Sequence, residues 1–244
     1  MRAFVRKRIK KVFAAIGLLS VELLIILILF VISLFAFVFL IYWIIKQNRV
    51  GFDNAVFRFV EPYTSDFNTQ VMNSITFMGD HRFLIPANLI LIAYFLFIKK
   101  HRWYSIKVPV VSIGSLLVMM GLKTIFSRPR PDNPILREVS NFSFPSGHAM
   151  LSFTFYGLLI YIVWINVRNL WMRWILMVCL GFVIFLIGSS RIYLRYHYAT
   201  DVLAGFCLGL MWLVISISVI SRIEKYTRKE IVPVVEEKKV PSPA

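Results

Sequence analysis

Residues Leu18–Ile45 read LLSVELLIILILFVISLFAFVFLIYWII, with Glu22 as their one charged residue. About 20 apolar residues of helix cross the hydrocarbon of a bilayer. This run exceeds that length, so it is read as a membrane span, tilted or projecting beyond the hydrocarbon. It is too long for the apolar core of a signal peptide, which runs to roughly 7–15 residues. Glu22 then falls near its cytoplasmic end.

Working outward, apolar runs of spanning length recur. Further spans are expected at about Phe83–Ile98, Lys107–Phe126, His148–Ile165, Trp174–Ser189 and Ala199–Ile220. The fold expected is all-α: a polytopic membrane protein with a bundle of six transmembrane helices over residues 17–220. Between the first two spans, Phe52, Val56 and Val60, then Phe67, Val71, Ile75 and Met78, recur at helical intervals. They predict two short amphipathic helices on the outer surface over 51–80, broken at Pro62. Residues 1–16 carry Arg2, Arg6, Lys7, Arg8, Lys10 and Lys11 among helically spaced Val5, Ile9, Val12, Phe13 and Ile16. That pattern suits a basic amphipathic helix on an anionic leaflet. The charged, Pro-bearing tail 221–244 reads as disordered. No internal repeat is evident.

The whole 244-residue chain agrees, with 59% hydrophobic residues and a mean hydropathy of +0.74. Its net charge of +16 does not point to nucleic acid, because the cations cluster between apolar runs and no soluble domain remains to form a basic groove. The N-terminal segment, residues 99–102, Arg168 with Arg173, and the tail fall on one side. The positive-inside rule makes that side the cytoplasm of a cell (inner) membrane, with both termini there. Cys179 and Cys207 lie in apolar runs without zinc-ligand spacing and read as packing residues.

The opposite, extracytoplasmic face receives three stretches that hold nearly all the ionisable residues bordering the later spans. They are residues 123–131 (Lys123 through Arg128, Arg130 and Pro131), 145–148 (Pro145-Ser146-Gly147-His148) and 190–201 (Ser190-Arg191 through Arg195, His197 and Asp201). Charges within a span cost about 2.5–3.5 kcal/mol at its centre and less near its ends. Lys123, Arg130 and Arg191 converge with one nearby carboxylate, Asp201. That imbalance implies a multivalent anion, which arginine grips through two oxygens and lysine as a point charge.

Ser146 is a favoured N-cap, and the free backbone N–H groups after it, with Gly147 allowing close approach, form a ready phosphate cradle. His197 and Asp201 are four residues apart, which on a helix puts them on one face. A carboxylate at one imidazole nitrogen fixes the tautomer and leaves the other nitrogen free to attack. His148 then supplies a general acid.

These stretches resemble the signature of the type 2 phosphatidic acid phosphatase superfamily, which includes the vanadium haloperoxidases. The pattern is met here as Lys123-x6-Arg130-Pro131, Pro145-Ser146-Gly147-His148 and Ser190-Arg191-x5-His197-x3-Asp201, without departure. The resemblance implies a six-helix membrane core and a two-step reaction needing no metal and no cofactor. His197 would be the nucleophile, Asp201 its orienting partner and His148 the acid. Lys123, Arg130, Arg191, Ser146 and the Gly147 backbone would bind the phosphoryl group.

The expected activity is hydrolysis of a lipid phosphomonoester or diphosphate. Phosphatidic acid, phosphatidylglycerol phosphate, undecaprenyl diphosphate and lipid A phosphates remain open as substrates. A lipid phosphotransferase using the same phosphohistidine, or a non-catalytic lipid-binding membrane protein, stand as alternatives. Arg128, Arg195 and Asp80 lie beside the motifs with no role assigned, and oligomeric state is not legible.

Overall fold

In hydrocarbon every backbone N–H and C=O must find an internal partner, so a long apolar run can only be helical. The computed structural model follows this rule. It describes residues 21, 24–44, 51–136 and 141–227. The expected surface helix at 1–16, Glu22, and the tail beyond residue 227 lie outside the described residues. Helix α1 spans Leu24–Ile44. It is followed by α2 (Gly51–Val60), a single 3-10 turn at Glu61–Tyr63, α3 (Asp66–Phe77) and α4 (His81–Ala93), which ends in a wider turn over Tyr94–Ile98. Then come α5 (Arg102–Phe126), α6 (Gly147–Asn166), α7 (Leu170–Tyr193) and α8 (Ala199–Tyr226). Among the described residues, six helical segments are long and apolar enough to cross a membrane. The expected spans are all present, with α5 beginning a turn earlier than its apolar run.

Helix α6 is the centre of the bundle and packs on α5, α7 and α8. Its approach to α8 is close because α8 presents glycines there. A Cβ at Gly205 would lie 2.8 Å from the Ser146 carbonyl oxygen, and one at Gly209 2.8 Å from Cβ of Phe153. Small residues bring backbones together in just this way inside membranes, where packing rather than water drives association. Polar side chains add cross-links. Ser112 donates to Oδ1 of Asn88 at 2.5 Å, joining α5 to α4, and the Trp212 indole donates to the Val111 carbonyl at 2.9 Å. At the end opposite the three motifs, buried Lys107 pairs with Glu224 at 3.1 Å and ties the start of α5 to the end of α8.

The surface helices form where expected, around Pro62, but are rotated from the apolar pattern. In α2 the one fully buried side chain is Asp53, while Phe52 and Phe59 are exposed. In α3 the buried residue is Thr76, and Phe67 and Val71 face outward. What lies inward is mixed: Asp53 and Thr76 meet the polar groups Arg128, Thr200 and Arg191, while Val60, Met72 and Ile75 pack on buried apolar side chains. Tyr193 at the end of α7 holds α3 down, its hydroxyl 3.2 Å from both the Ser65 backbone N and the Thr69 hydroxyl.

Candidate active site

The end of α3, the starts of α4 and α6, the ends of α5 and α7 and the turn before α8 meet around one cavity of about 720 Å³. Lys123, Arg130, Gly147, His148, Arg191 and His197 all line it, so the three motif stretches come together as expected. Each is carried by a distinct local device. Lys123 sits in the last turn of α5, which Ser127 ends in a left-handed conformation (φ 45°). Its ammonium donates to the Phe142 carbonyl at 3.0 Å. Ser146 caps α6, its hydroxyl accepting from the Ala149 N–H, and its own N–H donates to the Asp201 carbonyl at 3.0 Å. That last bond joins the second and third motifs directly.

The cations are held from behind, which aims them. Arg130 donates through Nε to the Asn141 carbonyl at 2.8 Å and through Nη2 to the Asn141 side chain. Its Nη1 donates to the Tyr196 carbonyl at 2.6 Å and lies 3.4 Å from Nε2 of His197. Arg191 is buried, donates to the Thr76 hydroxyl of α3 at 2.7 Å, and stacks on the Tyr196 ring at 4.4 Å.

His197 departs from the expected placement in one respect. It is not on α8: the helix begins at Ala199, and His197 lies in the preceding turn, 1% exposed. Asp201 occupies the third helical position and caps its own helix by accepting from the Tyr198 N–H at 3.0 Å. Its carboxylate therefore faces back towards the turn. Nδ1 of His197 is 3.7 Å from Oδ2 of Asp201, beyond a direct hydrogen bond. Ser143 stands between them. Its hydroxyl donates to Oδ2 of Asp201 and lies 3.4 Å from Nδ1 of His197. The expected pair is thus a trio in this geometry, leaving Nε2 on the Arg130 side.

Burial, followed by the charges of Arg191, Arg130 and Lys123, pushes the His197 imidazole well below the ordinary histidine range. A neutral ring whose Nδ1 is oriented keeps a lone pair on Nε2, the chemistry a nucleophile needs. His148, at the start of α6, faces Asp80, the N-cap of α4, with Nε2 3.7 Å from Oδ2.

Several contributors escaped the sequence reading. Ser143, Asn141 and Thr76 are uncharged, and nothing in their spacing marks them. Asp53 did carry a signal, as the one carboxylate of α2. Arg128 makes two short ion pairs, to Asp53 at 2.9 Å and to Asp201 at 2.5 Å. Arg195 lies 3.5 Å from Glu61 and over the Phe57 ring.

A six-span helical bundle with two histidines and three cations around a cavity at one end has the make-up of a multi-pass membrane phosphatase. The chain belongs to the PAP2 superfamily, whose family model matches residues 105–225. Phosphatidylglycerophosphatase B of Bacillus subtilis (strain 168) is 31% identical over 200 residues, covering 81% of this chain and 98% of that protein. The crystal structure of a transmembrane PAP2 type phosphatidylglycerolphosphate phosphatase from Bacillus subtilis superposes with a TM-score of 0.73 at 29% identity, again over 81% and 98% of the two chains. LpxE from Aquifex aeolicus is a more distant match, with a TM-score of 0.52 and 25% identity over 67% of this chain and 93% of that one.

Proposed function

We propose that this phosphatase removes a terminal phosphate from a membrane lipid through a phosphohistidine on His197, with phosphatidylglycerophosphate the first substrate to test. The observation that carries the lipid assignment is a groove of about 290 Å³ between α4, α5 and α6 that shares His81, Leu116 and Leu151 with the cavity. Apart from His81, Asn88, Ser112 and Thr154, its walls are apolar, including Leu84, Leu89 and Phe155. A phosphate seated among the cations would leave an acyl chain lying along that groove. The 31% identity to a phosphatidylglycerophosphatase supports the choice of head group.

In the proposed reaction Nε2 of His197 attacks phosphorus and the bond from phosphorus to the lipid oxygen breaks. His148, its Nε2 3.7 Å from Oδ2 of Asp80, gives its proton to that departing oxygen. His148 then takes a proton from water, whose oxygen attacks phosphorus, and the N–P bond breaks to release inorganic phosphate. Lys123, Arg130, Arg191 and the α6 N-terminus would offset the charge on the equatorial oxygens throughout. The active site would face away from the cytoplasm, a reading supported by Lys99, Lys100, Arg102, Arg168 and Arg173 at the other end.

Phosphate release from a panel of lipid phosphates in detergent micelles, with wild type and His197→Ala side by side, tests the proposal. The expected result is release by wild type alone, inhibited by vanadate and unaffected by EDTA. Release by His197→Ala at the wild-type rate would sink the nucleophile assignment.

A further inference from the structure

Arg128 lies in the loop after α5, outside the residues expected to touch phosphate, and its side chain is only 11% exposed. Its two terminal nitrogens reach different carboxylates. Nη1 donates to Oδ1 of Asp201 at 2.5 Å and to the Thr200 hydroxyl at 2.9 Å, and Nη2 donates to Oδ2 of Asp53 at 2.9 Å. The guanidinium plane rests on the Tyr198 ring at 4.0 Å. Asp53, 1% exposed on the surface helix α2, in turn accepts from the Thr200 N–H at 3.0 Å and the Thr200 hydroxyl at 2.8 Å. Each carboxylate oxygen of Asp53 and of Asp201 thereby accepts at least one hydrogen bond.

Such a network is costly to assemble, since each buried charge loses its hydration. It nevertheless leaves Asp201 with little freedom. Oδ1 is held by Arg128, and Oδ2 is held by the Tyr198 N–H and Ser143 on the side of His197. We infer that Arg128 is a positioning residue: it fixes the Asp201 carboxylate, and through it the His197 ring, while Asp53 fixes Arg128. This rests on the proposed role of Asp201 as the partner of His197. It adds that the orientation of the nucleophile is set from α2, an element outside the three motifs.

The forked geometry is what matters, because a lysine can satisfy only one of the two carboxylates at a time. A displaced nucleophile costs rate more than affinity, on the order of 10²-fold for about 1 Å of misplacement. Arg128→Gln should therefore lower kcat by roughly that factor with KM for the lipid little changed. Arg128→Lys should fall between the two.

The deciding experiment is a double-mutant cycle on the full chain in detergent micelles, with phosphatidylglycerophosphate and phosphatidic acid as substrates. In the Asp201→Asn background, Arg128→Gln should cost less than about threefold more in kcat, because its route of action has gone. An equal loss in both backgrounds would overturn the inference while leaving Asp201's own role intact. Wild-type kcat in Asp201→Asn alone would instead overturn the parent reading. If Arg128→Gln does not run as a single folded species, the cycle is completed with Arg128→Lys and Asp53→Asn. Each of these is expected to lower kcat in the wild-type background and to lose that effect beside Asp201→Asn, and additivity there counts against the inference.

Discussion

The proposed nucleophile works only while the His197 imidazole is uncharged, and its surroundings keep it so. Protonation must compete with burial and with Arg191, Arg130 and Lys123, all of which disfavour a further positive charge, as His148 does when protonated; the Asp201 carboxylate, 3.7 Å from Nδ1, acts the other way. The folded ring therefore titrates below the ordinary histidine value of about 6.5, and it remains a nucleophile into mildly acid solution. The acid limb of kcat/KM, which reports the free enzyme, should lie below that pH. Removing one cation reverses part of the effect. Arg130→Gln should move the limb to higher pH, along with a lower overall rate from the lost phosphate contact. A pH profile of kcat/KM on both proteins decides it, and a limb that stays in place or moves to lower pH contradicts the account.

This is also the scale on which the sequence was most and least informative. Charged residues within or beside apolar runs announce themselves by their cost, so His148, His197, Asp201 and the three cations could be named in advance. Ser143 could not. Its importance depends on standing between the His197 ring and Asp201, more than fifty residues away in sequence, and a serine two positions before a proline has no such signature.

Among the elements, α6 and α8 approach closely, and it is where the second and third motifs touch. Ser146 donates its backbone N–H to the Asp201 carbonyl, one turn before Gly205, whose missing side chain leaves room for the Ser146 carbonyl. A Cβ there would also lie 2.9 Å from Cβ of Ala149. Neither neighbour is the end of a flexible side chain, so Gly205→Ala must push the helices apart. Overpacking of this kind costs about 1–3 kcal/mol. The variant should melt at a lower temperature in detergent and lose kcat, since the α6 start carries His148 and the α8 start carries Asp201. Gly181→Ala on α7 meets no atom within 4 Å and serves as the control that changes neither. Helix existence was legible from apolar length alone, because a bilayer leaves no other option for such runs. The facing of α2 and α3 was not, because Asp53 and Thr76 turn inward to polar partners while Phe52, Phe59, Phe67 and Val71 are exposed. Periodicity locates an apolar stripe without saying which neighbour it meets.

Across the whole molecule, two environments are joined at one opening. The cationic cavity suits a phosphate, the groove between α4, α5 and α6 suits hydrocarbon, and Leu116 and Leu151 line both. A soluble phosphate ester would need only the cavity, whereas under the proposed reading a lipid would occupy both, so the junction can be closed to one and left open to the other. Leu116 is 40% exposed at that junction, with room for a larger side chain to extend into the groove. Leu116→Trp should therefore raise KM for a long-chain lipid phosphate while leaving hydrolysis of p-nitrophenyl phosphate near the wild-type rate. The ratio of kcat/KM for the two substrates is the quantity to follow, because it cancels any general loss of folded enzyme. A fall in that ratio of about tenfold or more, about 1.4 kcal/mol of lost binding at the junction, supports the groove as the path of the acyl chain. Equal losses on both substrates would mean that the chain leaves the cavity by another side of the bundle.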